Sequence, residues 1–184
     1  MKKYQTTLAT CLLIAVLAAV FPIVKAFAVD EDMSEQQIVQ IRSNCSSVKN
    51  TLNQLHNSDA LLRVNMGQAY ESMLTKMMKK FESRVDSNGY SNKDLSRKSY
   101  DYEMALDTFR SNYIKYEQQL SSAIGIDCSK QPVAFYDAVS LARSYRKQVH
   151  ADVLVLNSYL DQYQAAVDHF ENEYQAASKG ATSQ

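Results

Sequence analysis

From Val29 to the C-terminus, 156 residues contain a single proline, Pro132, and four glycines. Proline and glycine are the strongest punctuators of local structure, so a stretch this poor in them has few places to stop a helix. Gly89 lies in "DSNGYSN", and Gly125 and Pro132 flank "IGIDCSKQP". These breakers divide the chain into three long segments, helices expected at about 34–87, 92–124 and 132–177, with "ASKGATSQ" (178–184) left as a flexible tail. Pro132 sits where a helix restarts with proline in its first turn.

Each segment carries an apolar stripe at alternating three- and four-residue steps. The first opens at "SEQQ", a capping-box pattern in which Ser34 and Gln37 satisfy each other's free backbone donors. Its stripe runs Ile38, Ile41, Cys45, Val48, Leu52, Leu55, Leu62 and Met66, broken at Asp59. It resumes in a shifted phase through Tyr70, Met73 or Leu74, Met77 and Phe81. The second stripe, Leu95, Ser99, Tyr102, Leu106, Phe109, Tyr113, Tyr116 and Leu120, holds one heptad frame with Ser99 as its only polar member. The third runs from Phe135 to Tyr174 with one stutter, the double step of four at Tyr145–Val149–Val153. Nothing alternates with period two. The expected fold is all-α, an elongated antiparallel three-helix bundle or coiled coil.

Folding the second helix back on the first about Gly89 places residue i opposite roughly 179 − i, which sets Ile124 beside Leu55. Four further extended residues cover ~13 Å, the rise of about nine helical residues, and carry Cys128 to the level of about residue 46. Cys45 is within reach, so the two cysteines are expected to form a disulfide staple. A catalytic thiol would want a histidine or a CxxC partner, and neither cysteine has one nearby in sequence. The same folding sets the stutter at Val149–Val153 beside residues 63–71, where Gly67 sits mid-helix at a cost of ~1 kcal/mol relative to alanine. Two irregularities at one height predict a bend or a close backbone approach.

The chain opens "MKKYQTTLATCLLIAVLAAVFPIVKAFAVDED". Lys2 and Lys3 precede an apolar run over residues 8–24, and Ala26-Phe27-Ala28 supplies the small-x-small pattern read by signal peptidase. Residues 1–28 are therefore expected to be a signal peptide, cleaved after Ala28, or an uncleaved anchor whose only membrane contact is residues 8–24. Either way the remainder lies outside the cytoplasm. Removing them takes three lysines and no acid, so 20 basic against 20 acidic residues become 17 against 20, a net charge of −3. That balance argues against a nucleic-acid partner. It also leaves two cysteines, the even count expected of one disulfide in an exported chain.

Motifs for chemistry are sparse. His169 and Glu173 stand four apart in "DHFENE", but two ligands do not make a metal site, and no HExxH is present. There is no G-x-S-x-G elbow and no glycine-rich loop to cradle phosphate. We therefore expect neither enzyme activity, cofactor, metal nor small-molecule substrate. The seam tyrosines are expected to pack their rings inward with the hydroxyls reaching water. Residues 76–98 carry seven basic groups, Lys76, Lys79, Lys80, Arg84, Lys93, Arg97 and Lys98. This hairpin end is a candidate interaction tip, with internal matching to Asp161, Asp168, Glu171 and Glu173 as the expected arrangement.

The stretch "IRSNCSSVKNTLNQLHNSDALLRVNMGQAYESM", following a signal-like segment, resembles exported helical proteins of Saccharibacteria, episymbiotic bacteria of the candidate phyla radiation. The resemblance covers most of the chain after the leader and is centred on residues 41–74. It implies an envelope location and a role at the contact with a host cell. The expectation is thus a non-enzymatic, extracytoplasmic cell-envelope protein acting through a protein partner or self-association. The alternative is a chaperone-like clamp for apolar or unfolded clients, marked by a splayed hairpin exposing Met73, Met77 and Phe81.

Overall fold

The computed structural model describes residues 33–181, and all of its regular structure there is helical. α1 spans Glu35–Ser72, a π-helical segment Met73–Met78, α2 Lys79–Ser87, α3 Lys93–Gly125 and α4 Pro132–Ala181. The backbone stays helical through both π-segment junctions, so α1, the π segment and α2 form one continuous first arm. The three arms make the expected antiparallel bundle. Residues 1–32 and 182–184 lie outside the described residues, and with them the expected leader and its expected cleavage site at Ala26 and Ala28. α4 continues four residues beyond the expected end at 177. Its lone late breaker, Gly180, costs ~1 kcal/mol and does not by itself terminate a helix.

The caps follow from the sequence. Gln37 N–H donates to Ser34 Oγ at 3.3 Å, and Ser34 N–H donates to Gln37 Oε1 at 2.8 Å, completing the capping box. The first arm ends in a Schellman turn: Gly89 takes φ +79°, its N–H donates to the Asp86 carbonyl, and Tyr90 N–H donates to that of Val85. A side chain at Gly89 would be strained in that left-handed conformation. Between α3 and α4, Asp127 Oδ1 accepts from the Ser129 and Lys130 amides, and Pro132 opens α4 in the position its fixed φ favours.

The register matches the sequence reading. Tyr70 meets Phe109 edge-on with ring centroids 5.7 Å apart, and Arg63 pairs with Glu117 at 3.2 Å. Every predicted position of the α3 stripe is buried, from Leu95 to Leu120. Cys45 and Cys128 meet at disulfide distance, with Cα atoms 5.5 Å apart, packed with Phe135 among Ile41, Val48 and Leu52. Lys49 Nζ donates to the Ile126 carbonyl at the same end of the bundle.

The first arm departs from its predicted seam in two places. Residues 61–66 are all exposed, Leu62 at 56% and Met66 at 43%, although both belong to the stripe. Farther along, Tyr70, Leu74, Met78 and Val85 are buried, whereas Met77 is 66% exposed. The π segment explains the second departure. A π turn takes in an extra residue, so inward positions fall four apart at 70, 74 and 78 and the stripe moves off Met77. Two tyrosines mark its ends: Tyr102 OH donates to the Tyr70 carbonyl at 3.2 Å, and Tyr163 OH to the Met78 carbonyl at 3.1 Å. These hydroxyls, and that of Tyr116, thus have buried partners rather than reaching water. A bundle this thin still brings three helices close enough for a tyrosine tip to cross to the next backbone.

Candidate binding clefts along the first arm

Asp59 replaces an apolar residue in the α1 seam and is 9% exposed. Tyr116 of α3 donates to its Oδ2 at 2.6 Å. From α4, Arg146 Nε donates to Oδ2 at 3.0 Å and its Nη2 to Oδ1 at 3.3 Å. The carboxylate is therefore held on both oxygens, as a buried charge requires. Burial and the bond to Asp59 push the Tyr116 hydroxyl up, and the same carboxylate raises the Arg146 guanidinium. All three helices meet at this knot.

Below the knot α1 stands off, and a cleft of about 670 Å³ opens over α3 and α4. Its walls are Leu62, Met66 and Tyr70 on one side and Val149 and Val153 on the other, with Phe109 and Tyr113 as floor. This is the height at which Gly67 and the stutter coincide. An added Cβ at Gly67 would meet nothing within 4 Å, so the close backbone approach is absent. Two successive four-residue steps turn the α4 stripe aside, leaving Val149 and Val153 half-buried along the opening.

Charge around this cleft is one-sided. Arg63, Arg143, Arg146 and Lys147 line it against the single carboxylate of Asp59. Arg146 is engaged with Asp59, and Arg63 pairs with Glu117 while its guanidinium carbon lies 5.0 Å from the Tyr113 ring centre. The side chains of Arg143 and Lys147 have no ion-pair or hydrogen-bond partner among the described residues. The sequence reading missed all three α4 cations. Their signal was a basic cluster at helical spacing, "RSYRK", straddling the stutter.

A second cleft of about 600 Å³ lies nearer the hairpin, between the π segment with α2 and α4. Met73, Met77 and Phe81 face Leu160 and Val167, and Lys76, Lys80 and Arg84 surround them. Of the seven basic tip residues, Lys79 pairs with Glu103 at 3.3 Å and Arg97 with Asp94 at 2.6 Å. Lys98 Nζ donates to Gln162 Oε1 at 2.7 Å. Lys76, Lys80, Arg84 and Lys93 have no side-chain partner among the described residues. The expected match to the α4 acids does not form. Asp168 accepts from Gln164, Glu171 from Gln175, and Glu173 stands beside His169, all within α4; Asp161 lines the cleft without an ion pair. Helical neighbours four residues away reach these carboxylates before the first arm does.

His169 and Glu173 are an exposed pair at 3.7 Å, and among the described residues no group of three potential metal ligands comes together. No helix among them is long and apolar enough to cross a membrane. Compared with protein-family models, curated proteins and solved structures, the chain matches none.

Proposed function

We propose that this chain is a non-enzymatic, extracytoplasmic binding protein that uses the hairpin-end cleft to hold a protein partner through an acidic segment carrying apolar side chains. One observation carries the reading: Lys76, Lys80 and Arg84 surround an apolar cleft against the single carboxylate of Asp161, and none of the three is in an ion pair among the described residues. An exposed cationic rim around an apolar centre is the form of a partner-binding patch, the apolar part supplying affinity and the charges orientation and rate. The exported location rests on the leader pattern and on the paired cysteines, which suit an oxidising compartment. The resemblance to exported envelope proteins extends the proposal to a surface in contact with a host cell.

The test is site-specific photocrosslinking from position 77 in an exporting host. A discrete partner should be captured, lost when Lys76, Lys80 and Arg84 are changed together to glutamate, and kept when Lys79 and Arg97 are. Capture insensitive to both sets, or none at all, refutes the reading; capture of a second copy alone makes the cleft a self-association surface.

The clamp for unfolded clients keeps two supporting observations, the exposed apolar run at Leu61, Leu62, Val64 and Met66 and the exposed Met77 of its expected signature. The run lies mid-arm, whereas Met73 and Phe81 at the hairpin end are half-buried against the core. Suppression of aggregation of a denatured model client, abolished by Leu62→Glu, would favour it over a dedicated partner.

A further inference from the structure

We infer that the mid-arm cleft beneath Asp59 is a binding site for a single-chain acyl carboxylate, with the chain along its apolar floor and the carboxylate at Arg143 and Lys147. The inference is separate from the protein-partner reading, which concerns the other cleft.

Size comes first. About 670 Å³ falls within the range of small-molecule sites. Shape comes next. Polar ties bound the α1 wall at both ends, the Asp59–Arg146–Tyr116 knot above and the Tyr102–Tyr70 bond below. Eleven residues of helix separate Asp59 from Tyr70, which is ~16 Å. An extended alkyl chain, with carbons ~1.5 Å apart at tetrahedral angles, advances ~1.25 Å per carbon, so about 13 carbons span that length.

Chemistry then selects the head group. The walls offer aliphatic and aromatic surface, and an acyl chain would cover Leu62 and Met66, which otherwise face solvent from seam positions. Four cations against one carboxylate line a cleft in a chain with no net charge. Arg143 and Lys147 are four residues apart on one face of α4, ~6 Å between Cβ atoms, close enough to share one anion. An uncharged lipid would leave this pair unmatched, and a cationic amphiphile would be repelled by it.

The test is equilibrium dialysis of the full chain with dodecanoate, below its critical micelle concentration, alongside dodecanol. One equivalent of dodecanoate should bind, and dodecanol at least tenfold more weakly. The double change Arg143→Glu with Lys147→Glu, and separately Leu62→Glu, should each weaken dodecanoate at least tenfold. All three residues are exposed, so unchanged far-ultraviolet circular dichroism serves as the folding control. Reversing Lys76, Lys80 and Arg84 should leave dodecanoate binding unchanged, which separates this site from the partner cleft. Equal affinity for dodecanol, binding indifferent to the Arg143 and Lys147 changes, or no uptake overturns the inference. So does a dimer in sedimentation that Leu62→Glu dissociates, because a second copy would then be the occupant.

Discussion

Reduction of the Cys45–Cys128 pair tests most directly how the bundle is held at the end opposite its hairpin. The cysteines are 83 positions apart, so the bond closes a loop of 84 residues counted inclusively. The chain-entropy relation assigns such a loop about 15 cal/mol/K, or ~4.6 kcal/mol at 25 °C. Residual helix in the unfolded chain lowers this, and ~3 kcal/mol is a reasonable floor. For a chain of this size the loss corresponds to a melting temperature lower by roughly 6–18 °C. The loss should fall unevenly. Before Cys45, α1 contributes only half-buried Ile38 and Ile41 to the bundle, so its first turns should detach before α3 and α4 separate. Urea titrations followed at 222 nm, with and without reductant, give the total, and amide exchange over residues 38–50 gives the local part. A difference below ~1 kcal/mol, or alkylation of either thiol before reduction, would refute the staple.

Gly67→Ala should stabilise the protein by about 0.5–1 kcal/mol, because a helix-interior glycine is replaced where the new Cβ meets nothing within 4 Å. A lower urea midpoint for this variant would mean that the helix needs the glycine there. In alkaline titration, burial followed by the neighbouring Tyr70 pushes the Tyr102 hydroxyl up to about 12 from the ordinary value near 10. Burial likewise raises Tyr116 and Tyr163. Raised values mean that the folded state keeps protons that the unfolded state loses. Stability should therefore be level below pH ~10 and fall as pH rises toward 12. Difference absorbance at 295 nm should show these tyrosines ionising in a separate step above pH 10; a single transition near pH 10 with unchanged stability would contradict the buried hydrogen bonds.

The sequence was most informative where one position in each helical turn had a single apolar choice. In α3 every seam position but Ser99 is apolar, and all, Ser99 included, are buried. The hairpin register followed from one turn, and it placed the two cysteines together. The π segment was hidden because "MLTKMM" offers apolar residues in two phases at once, and the winding rather than the composition decides which faces inward. Tyrosine was misread for a related reason: periodicity gives the direction of a ring and not the distance from its hydroxyl to the next backbone. Leu62 and Met66 fit the stripe, but a seam closes only if the facing helix presents a partner in the same phase, and the α4 stutter withdraws it. Gly67 and the stutter flagged the height of the mid-arm cleft. The cations around it became apparent only with α1 and α4 side by side.

The position of the cysteine pair also determines which parts of the molecule can bear tension. A pull applied between the two chain ends enters along the first turns of α1, crosses from Cys45 to Cys128, and leaves through α4. The residues between the two cysteines, with the π segment, the hairpin and all of α3, are outside that path. Their contour, ~280 Å if drawn out at ~3.4 Å per residue, cannot be released while the bond is intact. A pull applied at the hairpin is divided at once between the first arm and α3, which the crosslink rejoins at their far ends. A bundle attached by one end and gripped at the other would stretch little, and the thiol redox state would set its extensibility.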